Sequence, residues 1–459
     1  MPTDAVLNEF LAFLRFGSVS TDPQYKEQVV ACAEWLKQKL TTIGLDAVQH
    51  ETTGHPIIVA RGPHKAGRPT VLIYGHYDVQ PVDPLDLWHR PPFDPGIENG
   101  IITARGASDN KGQIFAHILG IEQTLKEQGD LPVNLILLIE GEEEIGSVHL
   151  APFLVAHRET LACDIVAISD SSMVAPGYPT FTYGLRGLAA VEVTVTGPDH
   201  DLHSGIFGGA VENPATVLAR LVAGLHDKKL KVKLDGFYDD VKALAPWERK
   251  AWKHLPLKEA DLLKMTGAPA LRGEKGYTPM ERIWARPTAE VNGIGGGYQG
   301  EGTKTVLPSK AMAKLTFRLV PDQSPKKILE IVQAYFQENA PASVTLNIVP
   351  GHSGEPYLVD PNTGFGVAAQ RALGRLFPGK KAALIREGGS IPIVAAFKSI
   401  LNADTLLLGF ALADCNAHSP NETFPLSHLD LGTNLNRYLL EEIAGAGTGS
   451  AKRNGGDDS

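Results

Sequence analysis

The chain has 459 residues, of which 43% are hydrophobic and 21% charged, and it carries a net charge of −9. That length predicts two domains, the composition is that of a globular protein, and the acidic balance argues against a nucleic-acid partner, which needs a basic face. Cys32, Cys163 and Cys415 form no Cys-x-x-Cys pair, so they suggest neither a disulfide framework nor a thiolate zinc site.

Asp4 to Arg15 has helical spacing, with Leu7, Phe10, Leu11 and Leu14 on one face and Asp4 as a candidate cap. Tyr25 to Leu45 is a second amphipathic helix. Ile57 to Ala60 and Thr70 to Gly75 read as strands, and the Pro- and Asp-rich stretch from Pro81 to Asp94 as a loop. Ile114 to Gln128 is helical, and Val133 to Ile139 and Ile165 to Ile168 are buried strands. This alternation predicts a largely parallel sheet covered on both faces. The texture changes after about Tyr183. Leu188 to Thr196 and Lys314 to Val320 alternate apolar and polar residues, as half-exposed antiparallel strands do. With helices from Asn213 to Leu225 and Ser324 to Asn339, and a strand from Ser343 to Val349, they predict a small ferredoxin-like α+β domain. A charged, helical segment from Asp227 to Arg286 interrupts it. Gly293 to Gly297 reads as a glycine-rich loop without the Lys-Ser/Thr of a phosphate cradle. After Gly354 the first texture returns, with a helix from Thr363 to Leu376, strands at Leu384-Ile385 and Thr405 to Phe410, and a closing helix from Leu429 to Ala444. The expected plan is a catalytic α/β domain of residues 1–184 and 355–444, an inserted lid or dimerisation domain of residues 185–354, and a disordered tail of residues 445–459. No apolar stretch is long enough to span a bilayer. Met1-Pro2-Thr3-Asp4 lacks the basic and apolar regions of a signal peptide, so a cytoplasmic protein with no membrane partner is expected.

The strand ends collect chemistry. The strand ending at Gly75 is followed by His76 and Asp78, the run to Ile139 by Glu140-Gly141-Glu142-Glu143-Glu144, the run to Ile168 by Ser169-Asp170, and the run to Phe410 by Ala417-His418. Asp109 follows the tight Arg105-Gly106-Ala107 turn. In open α/β sheets, functional groups gather beyond the carboxyl ends of the strands. Asp78 lies close enough to His76 to orient its ring from behind a metal. Two histidines with several carboxylates and no thiolate suit Zn²⁺, Mn²⁺ or Co²⁺. One carboxylate shared between two ions would make a dinuclear hydrolase. Taken singly, three adjacent glutamates are a solvated loop and Ser-Asp a helix cap; their meeting at one sheet edge is what carries the metal reading.

These motifs resemble the cocatalytic metallopeptidases that include aminoacylase, succinyl-diaminopimelate desuccinylase, glutamate carboxypeptidase and the carnosinase-like dipeptidases. The resemblance extends to about Ala444 and rests on Gly75-His76-Tyr77-Asp78, Gly106 to Gly112, Glu140 to Ser147 and Ser169-Asp170. Asp201-Leu202-His203-Ser204-Gly205, Lys304 to Pro308, Phe317 to Pro321, Arg386 to Pro392 and Ala417 to Glu422 favour the dipeptidase branch. The resemblance implies a zinc-peptidase-like catalytic domain with an inserted ferredoxin-like domain and two divalent metal ions per subunit. It implies that His76 and Asp170 hold one ion and Glu144 and His418 the other, that Asp109 bridges them, and that Asp78 orients His76. Glu143 would be the general base for a metal-held water. Arg318, Thr305, Gly389 and Ser390 would bind substrate, Arg318 through its terminal carboxylate. His203 would stabilise the oxyanion from the partner subunit of a homodimer. A cis Asp109–Asn110 peptide bond is implied too. Asn110 departs from the second aspartate of many members. Either a dipeptide or an N-acyl amino acid suits this centre, and a metal-free binding protein on the same fold is the third reading.

Overall fold

The computed structural model describes residues 2–450. The first helix, Asp4–Leu14, is capped by Thr3, whose hydroxyl accepts from the Val6 amide at 3.4 Å; Asp4, the expected cap, instead lies in the first turn, where its charge meets the helix dipole. Among the described residues the largest sheet has nine strands. Its order is Asp46–His50, Ile57–Arg61, Asn134–Glu140, Thr70–His76, Ile165–Ile168, Asp404–Leu407, Thr180–Leu185 and Tyr357–Leu358, with Ala383–Glu387 also paired to Thr180–Leu185. The four strands from Asn134–Glu140 to Asp404–Leu407 are parallel, and antiparallel pairs flank them on both sides. Every residue of Asn134–Glu140 is buried, as expected of a central strand covered on both faces. Parallel register brings His76 opposite Glu140, and Ile168 opposite both Tyr74 and Leu407, so four strand ends share one edge. That alignment positions the site.

A four-stranded antiparallel sheet forms the smaller domain, in the order Thr288–Gly296, Lys310–Leu319, Gly187–Thr196 and Thr345–Gly354. Helices Pro214–Ala223 and Pro325–Asn339 supply Val217, Leu221, Val332 and Phe336 to a separate core with Val191, Val193, Val195, Leu315 and Phe317. Each such side chain, fully buried, contributes about 1.5–3 kcal/mol. The segment after helix Pro214–Ala223 holds three short helices, and two of them, Pro246–Lys253 and Pro279–Ala285, send Trp252 and Trp284 into the larger core. The Trp252 indole N–H donates to the Leu384 carbonyl at 3.0 Å.

Two expectations are corrected. Gly293 to Gly296 is strand, not loop: it pairs with Ala311 to Lys314 after a bulge between Val291 and Gly293. A ladder partner supplies there what local glycine content argued against, and a bulge is where strand glycine is tolerated. The closing helix spans Leu426–Ser450, so residues 445–450 are helical and not tail. Ala444 and Ala446 pack against the core and carry the helix onward. The rest of the expected tail lies outside the described residues.

Candidate metal centre

His76 ends its strand fully buried. Its Nδ1 lies 3.1 Å from the Asp78 carbonyl oxygen and 3.3 Å from Asp78 Oδ1. A ring that donates from Nδ1 keeps a lone pair on Nε2. Nε2 has no hydrogen-bond partner; it faces Asp109 Oδ1 at 3.2 Å and Asp170 Oδ2 at 3.6 Å. Burial opposes charge on this ring, but Asp109, Asp170 and Asp78 outweigh it and hold its pKa well above the ordinary value, so without a cation Nε2 also carries a proton, one that a bound cation would displace. Asp78 is itself fixed, because its two oxygens accept from the backbone amides of Glu143 and Glu144 at 3.2 and 3.1 Å. One buried carboxylate thus ties the histidine turn to the glutamate turn.

Asp109 presents one oxygen to each imidazole: Oδ1 to His76, and Oδ2 to His418 Nε2 at 2.9 Å. The two rings hold its carboxyl below the usual range against the effect of burial. His418 Nε2 also lies 3.5 Å from Glu144 Oε2, which accepts from Gln80 Nε2 at 2.6 Å. Glu144 Oε1 is buried without a partner. Burial first, then the Asp109 charge, pushes the Glu144 carboxyl up to about 10. Burial likewise pushes Glu143 up to about 8, with Asp170, Asp109 and Asp78 adding and His76 opposing. Ligand atoms of His76, Asp109 and Glu144 all lie within 4.8 Å of one another. Five carboxylates and two imidazoles crowd one place, with an orphaned nitrogen and an orphaned oxygen aimed inward. A set of hard and borderline donors with excess negative charge fits divalent cations.

The three consecutive glutamates separate. Glu142 is buried away from the cluster, accepting from the His55 amide at 3.0 Å and the His149 amide at 3.2 Å, with His149 Nδ1 at 2.7 Å. It anchors the turn that presents Glu143 and Glu144. The Asp109–Asn110 peptide bond is cis. Asn110 donates from Nδ2 to Asp170 Oδ1 at 2.9 Å and to the Ser169 carbonyl at 2.7 Å. A second aspartate there would face Asp170 with a like charge.

Sequence reading missed several supporting groups. Glu422 is fully buried; it receives Arg105 Nη1 at 3.0 Å and the amides of Gly106, Ser108 and Asp109 at 2.8, 2.7 and 2.9 Å. It shapes the turn that delivers Asp109. His117 lies behind Asp170, with Nε2 at 2.8 Å from Ser169 Oγ and Nδ1 at 2.9 Å from Asn436 Nδ2. Because Ser169 Oγ donates to the Leu408 carbonyl at 2.8 Å, His117 must donate from Nε2 and accept at Nδ1. Glu387, half-buried, has no cationic partner among the described residues; burial pushes its carboxyl up to about 7 and Asp170 adds to the shift. Glu422 and Glu387 both fall within motifs quoted above, but only burial distinguishes them from surface carboxylates.

The other expected residues stand apart from this cluster. Arg318 Nη1 donates to Ser390 Oγ at 3.0 Å, and Ser390 Oγ donates to the Arg186 carbonyl at 2.5 Å. Gly389 beside it is exposed, with open space where a Cβ would be. His203 lies on a separate two-stranded ladder, and Thr305 just before that ladder's second strand. There the exposed His203 caps the short Ser204–Phe207 helix by accepting from the Gly205 amide at 3.0 Å, and Ser204 N–H donates to the Thr305 carbonyl at 3.1 Å. None of their contacts reaches the metal cluster.

Comparison with known proteins places this arrangement. A model of peptidase family M20/M25/M40 matches residues 72–442. A Cys-Gly metallodipeptidase of Schizosaccharomyces pombe is 32% identical, with 93% of each chain covered. The crystal structure of an M20 family metallo-carboxypeptidase from Sulfolobus solfataricus superposes with a TM-score of 0.86 at 33% identity, covering 96% of this chain and all of that one. Human carnosine dipeptidase 1 superposes with a TM-score of 0.80 at 27% identity, with 96% of each chain covered.

Proposed function

This chain belongs to peptidase family M20/M25/M40, and from that premise we propose that it is a metallodipeptidase, hydrolysing the amide bond of dipeptides with a free C-terminal carboxylate. The observation that carries the reading is Asp109, which turns one carboxylate oxygen to each of two imidazoles. His76 and Asp170 would hold one divalent ion, Glu144 and His418 a second, and Asp109 both. Zinc suits these donors, as do manganese and cobalt. Bound there, the pair would acidify water and polarise the scissile carbonyl.

The chain's own residues do the rest. Glu143 takes the proton of the attacking water and passes it to the leaving amine, a transfer worth about 10²–10⁴-fold. Arg318, seated on Ser390 beside Gly389, receives the substrate's terminal carboxylate as a planar fork of donors. His203 and Thr305 act from the partner subunit of a homodimer formed through the smaller domain, and His203 stabilises the oxyanion. Their exposure and purely local contacts support that placement. Glu387 favours a dipeptide over an N-acyl amino acid: a carboxylate near Asp170 with no cationic partner can accept the substrate's α-ammonium, which an acyl group lacks. Three free cysteines and the acidic net charge support a cytoplasmic enzyme with no nucleic-acid partner. No helix among the described residues is long and apolar enough to cross a membrane.

The test is hydrolysis of a dipeptide panel beside N-acetyl and N-succinyl amino acids, after chelation and restoration with Zn²⁺, Mn²⁺ or Co²⁺. Dipeptides should be cleaved in preference, and Glu387→Gln should raise their KM. Faster turnover of the N-acyl compounds would make the chain an N-acyl amino acid amidohydrolase. No turnover of either class would leave the metal-free binding protein.

A further inference from the structure

The strand Lys310–Leu319 buries Ala313, Leu315 and Phe317 in the smaller core, so Thr316 and Arg318 face the other way. Across the ladder on that second face, Thr288 stands opposite Arg318 and Glu290 opposite Thr316. The chain segment 272–287 closes over this face and leaves a cavity of about 610 Å³, with Arg186 and Arg318 in its wall. Five arginines line it, against two glutamates. Arg286 is neutralised by Glu274, to which it donates from Nε and Nη2 at 2.7 and 2.8 Å. The other four have no carboxylate partner within salt-bridge distance among the described residues. Arg318 donates to the Ser390 hydroxyl, Arg186 Nε to the Gly388 carbonyl at 3.1 Å, and Arg282 Nε to the Glu274 carbonyl at 2.9 Å, while Arg272 is exposed. Arg318 and the Arg186 carbonyl meet at the same Ser390 hydroxyl, so these two residues stand close together; burial, with the Arg318 charge next, pulls the Arg186 guanidinium down to about 10, and Glu290 opposes the shift. Four guanidinium groups against the single free carboxylate of Glu290 make a cationic hollow that favours entry of an anion.

The α-carboxylate of a bound dipeptide engages Arg318 alone, on the dipeptidase reading from which this inference proceeds. We propose that the cavity is a specificity pocket for a second carboxylate on the substrate's C-terminal side chain, so that dipeptides ending in Glu or Asp are preferred. Arg272 and Arg282, on the segment that closes the cavity, receive that second carboxylate. Arg186, held to Gly388 and by its carbonyl to Ser390, keeps the Arg318 end of the pocket in place.

The experiment compares kcat/KM for Ala-Glu with Ala-Gln, and for Ala-Asp with Ala-Asn, in the metal-restored enzyme and in Arg272→Gln/Arg282→Gln. Each amide removes the charge while nearly keeping the shape. The acidic member should be favoured at least about tenfold, the discrimination of a charge-assisted pair, and the ratio should fall towards one in the double variant. Arg272 is exposed, so Arg272→Gln alone carries the comparison should the double variant not fold. Equal rates for acid and amide, or a preference that survives both substitutions, would overturn the pocket. Cleavage of Ala-Gln reports separately on the dipeptidase reading. If neither peptide is cleaved, that reading fails, and calorimetric titration with Ala-Glu and Ala-Gln still decides the pocket: tighter Ala-Glu binding lost in the variant sustains it, and equal or absent binding overturns it.

Discussion

Glu422→Gln tests how the centre is held together. The native carboxylate is fully buried and meets only donors: Oε2 accepts from Arg105 Nη1 and the Gly106 amide, and Oε1 from the amides of Ser108 and Asp109. Glutamine keeps the volume, but one oxygen becomes an NH₂, so two protons face two donors whichever way the amide turns. Arg105, itself 1% exposed, loses its counter-charge. Removing one partner of a buried ion pair costs about 3–5 kcal/mol, and each buried donor left unsatisfied about 1–3 kcal/mol. These costs overlap at shared atoms, so a loss of about 4–6 kcal/mol is expected, against a usual total of about 5–15 kcal/mol. Thermal unfolding followed by circular dichroism reads it, in metal-restored and in chelated protein. The midpoint should fall in both states, because the damage is to the protein's own turn. A midpoint within about 1 °C of wild type, equivalent to about 1 kcal/mol for a chain of this length, would refute the cradle argument.

Three further outcomes follow from the same structure. Burial takes His117 down to about 4 from the ordinary 6.5, so the folded state resists its protonation; the stability it contributes is complete above pH 6.5 and is lost as pH falls towards 4, to a limit of about 3 kcal/mol. The difference between wild type and His117→Gln in urea unfolding should therefore shrink across that window, and a pH-independent difference would contradict it. Mixing inactive His203→Ala with inactive Glu143→Gln protein should restore activity after subunit exchange, since one heterodimer site would hold both native residues; verified heterodimers without activity would place His203 in its own chain's site. Asn110→Asp should lower the unfolding midpoint of chelated protein more than that of metal-restored protein, because it sets a carboxylate against Asp170 where an amide now donates, and an unchanged midpoint in chelated protein would contradict that.

What could be read from the sequence follows its local physics. Val71 to Tyr74 and Leu135 to Ile139 announce buried strands through continuous apolar runs, so the groups just after them, His76 and Glu143-Glu144, were legible as one sheet edge. The alternation of Val191, Val193 and Val195 marked the smaller sheet as surely. Asp46–His50 was not legible: it is a partly exposed margin strand with polar ends, created by its pairing with Ile57–Arg61. Gly293 to Gly296 misled for the same reason, since glycine content is local and a ladder is not. Glu422 and Glu387 carry no signal that separates them from surface glutamates; their neighbours come from chain segments hundreds of residues away. The closing helix runs on past Ala444 because packing of Ala444 and Ala446 outweighs the weak helix preference of the glycines between and after them.

The most direct measurement on the central claim pairs metal stoichiometry with turnover for Glu143→Gln. Glu143 stands outside the His76–Asp109–Glu144 group, and glutamine retains the backbone amide that donates to Asp78. The variant should bind the same two ions per chain that are expected of wild type, while dipeptide turnover falls by about 10²–10⁴-fold. A variant that loses an ion, or one that keeps wild-type turnover, would contradict the assignment of Glu143 as the base of a dinuclear centre.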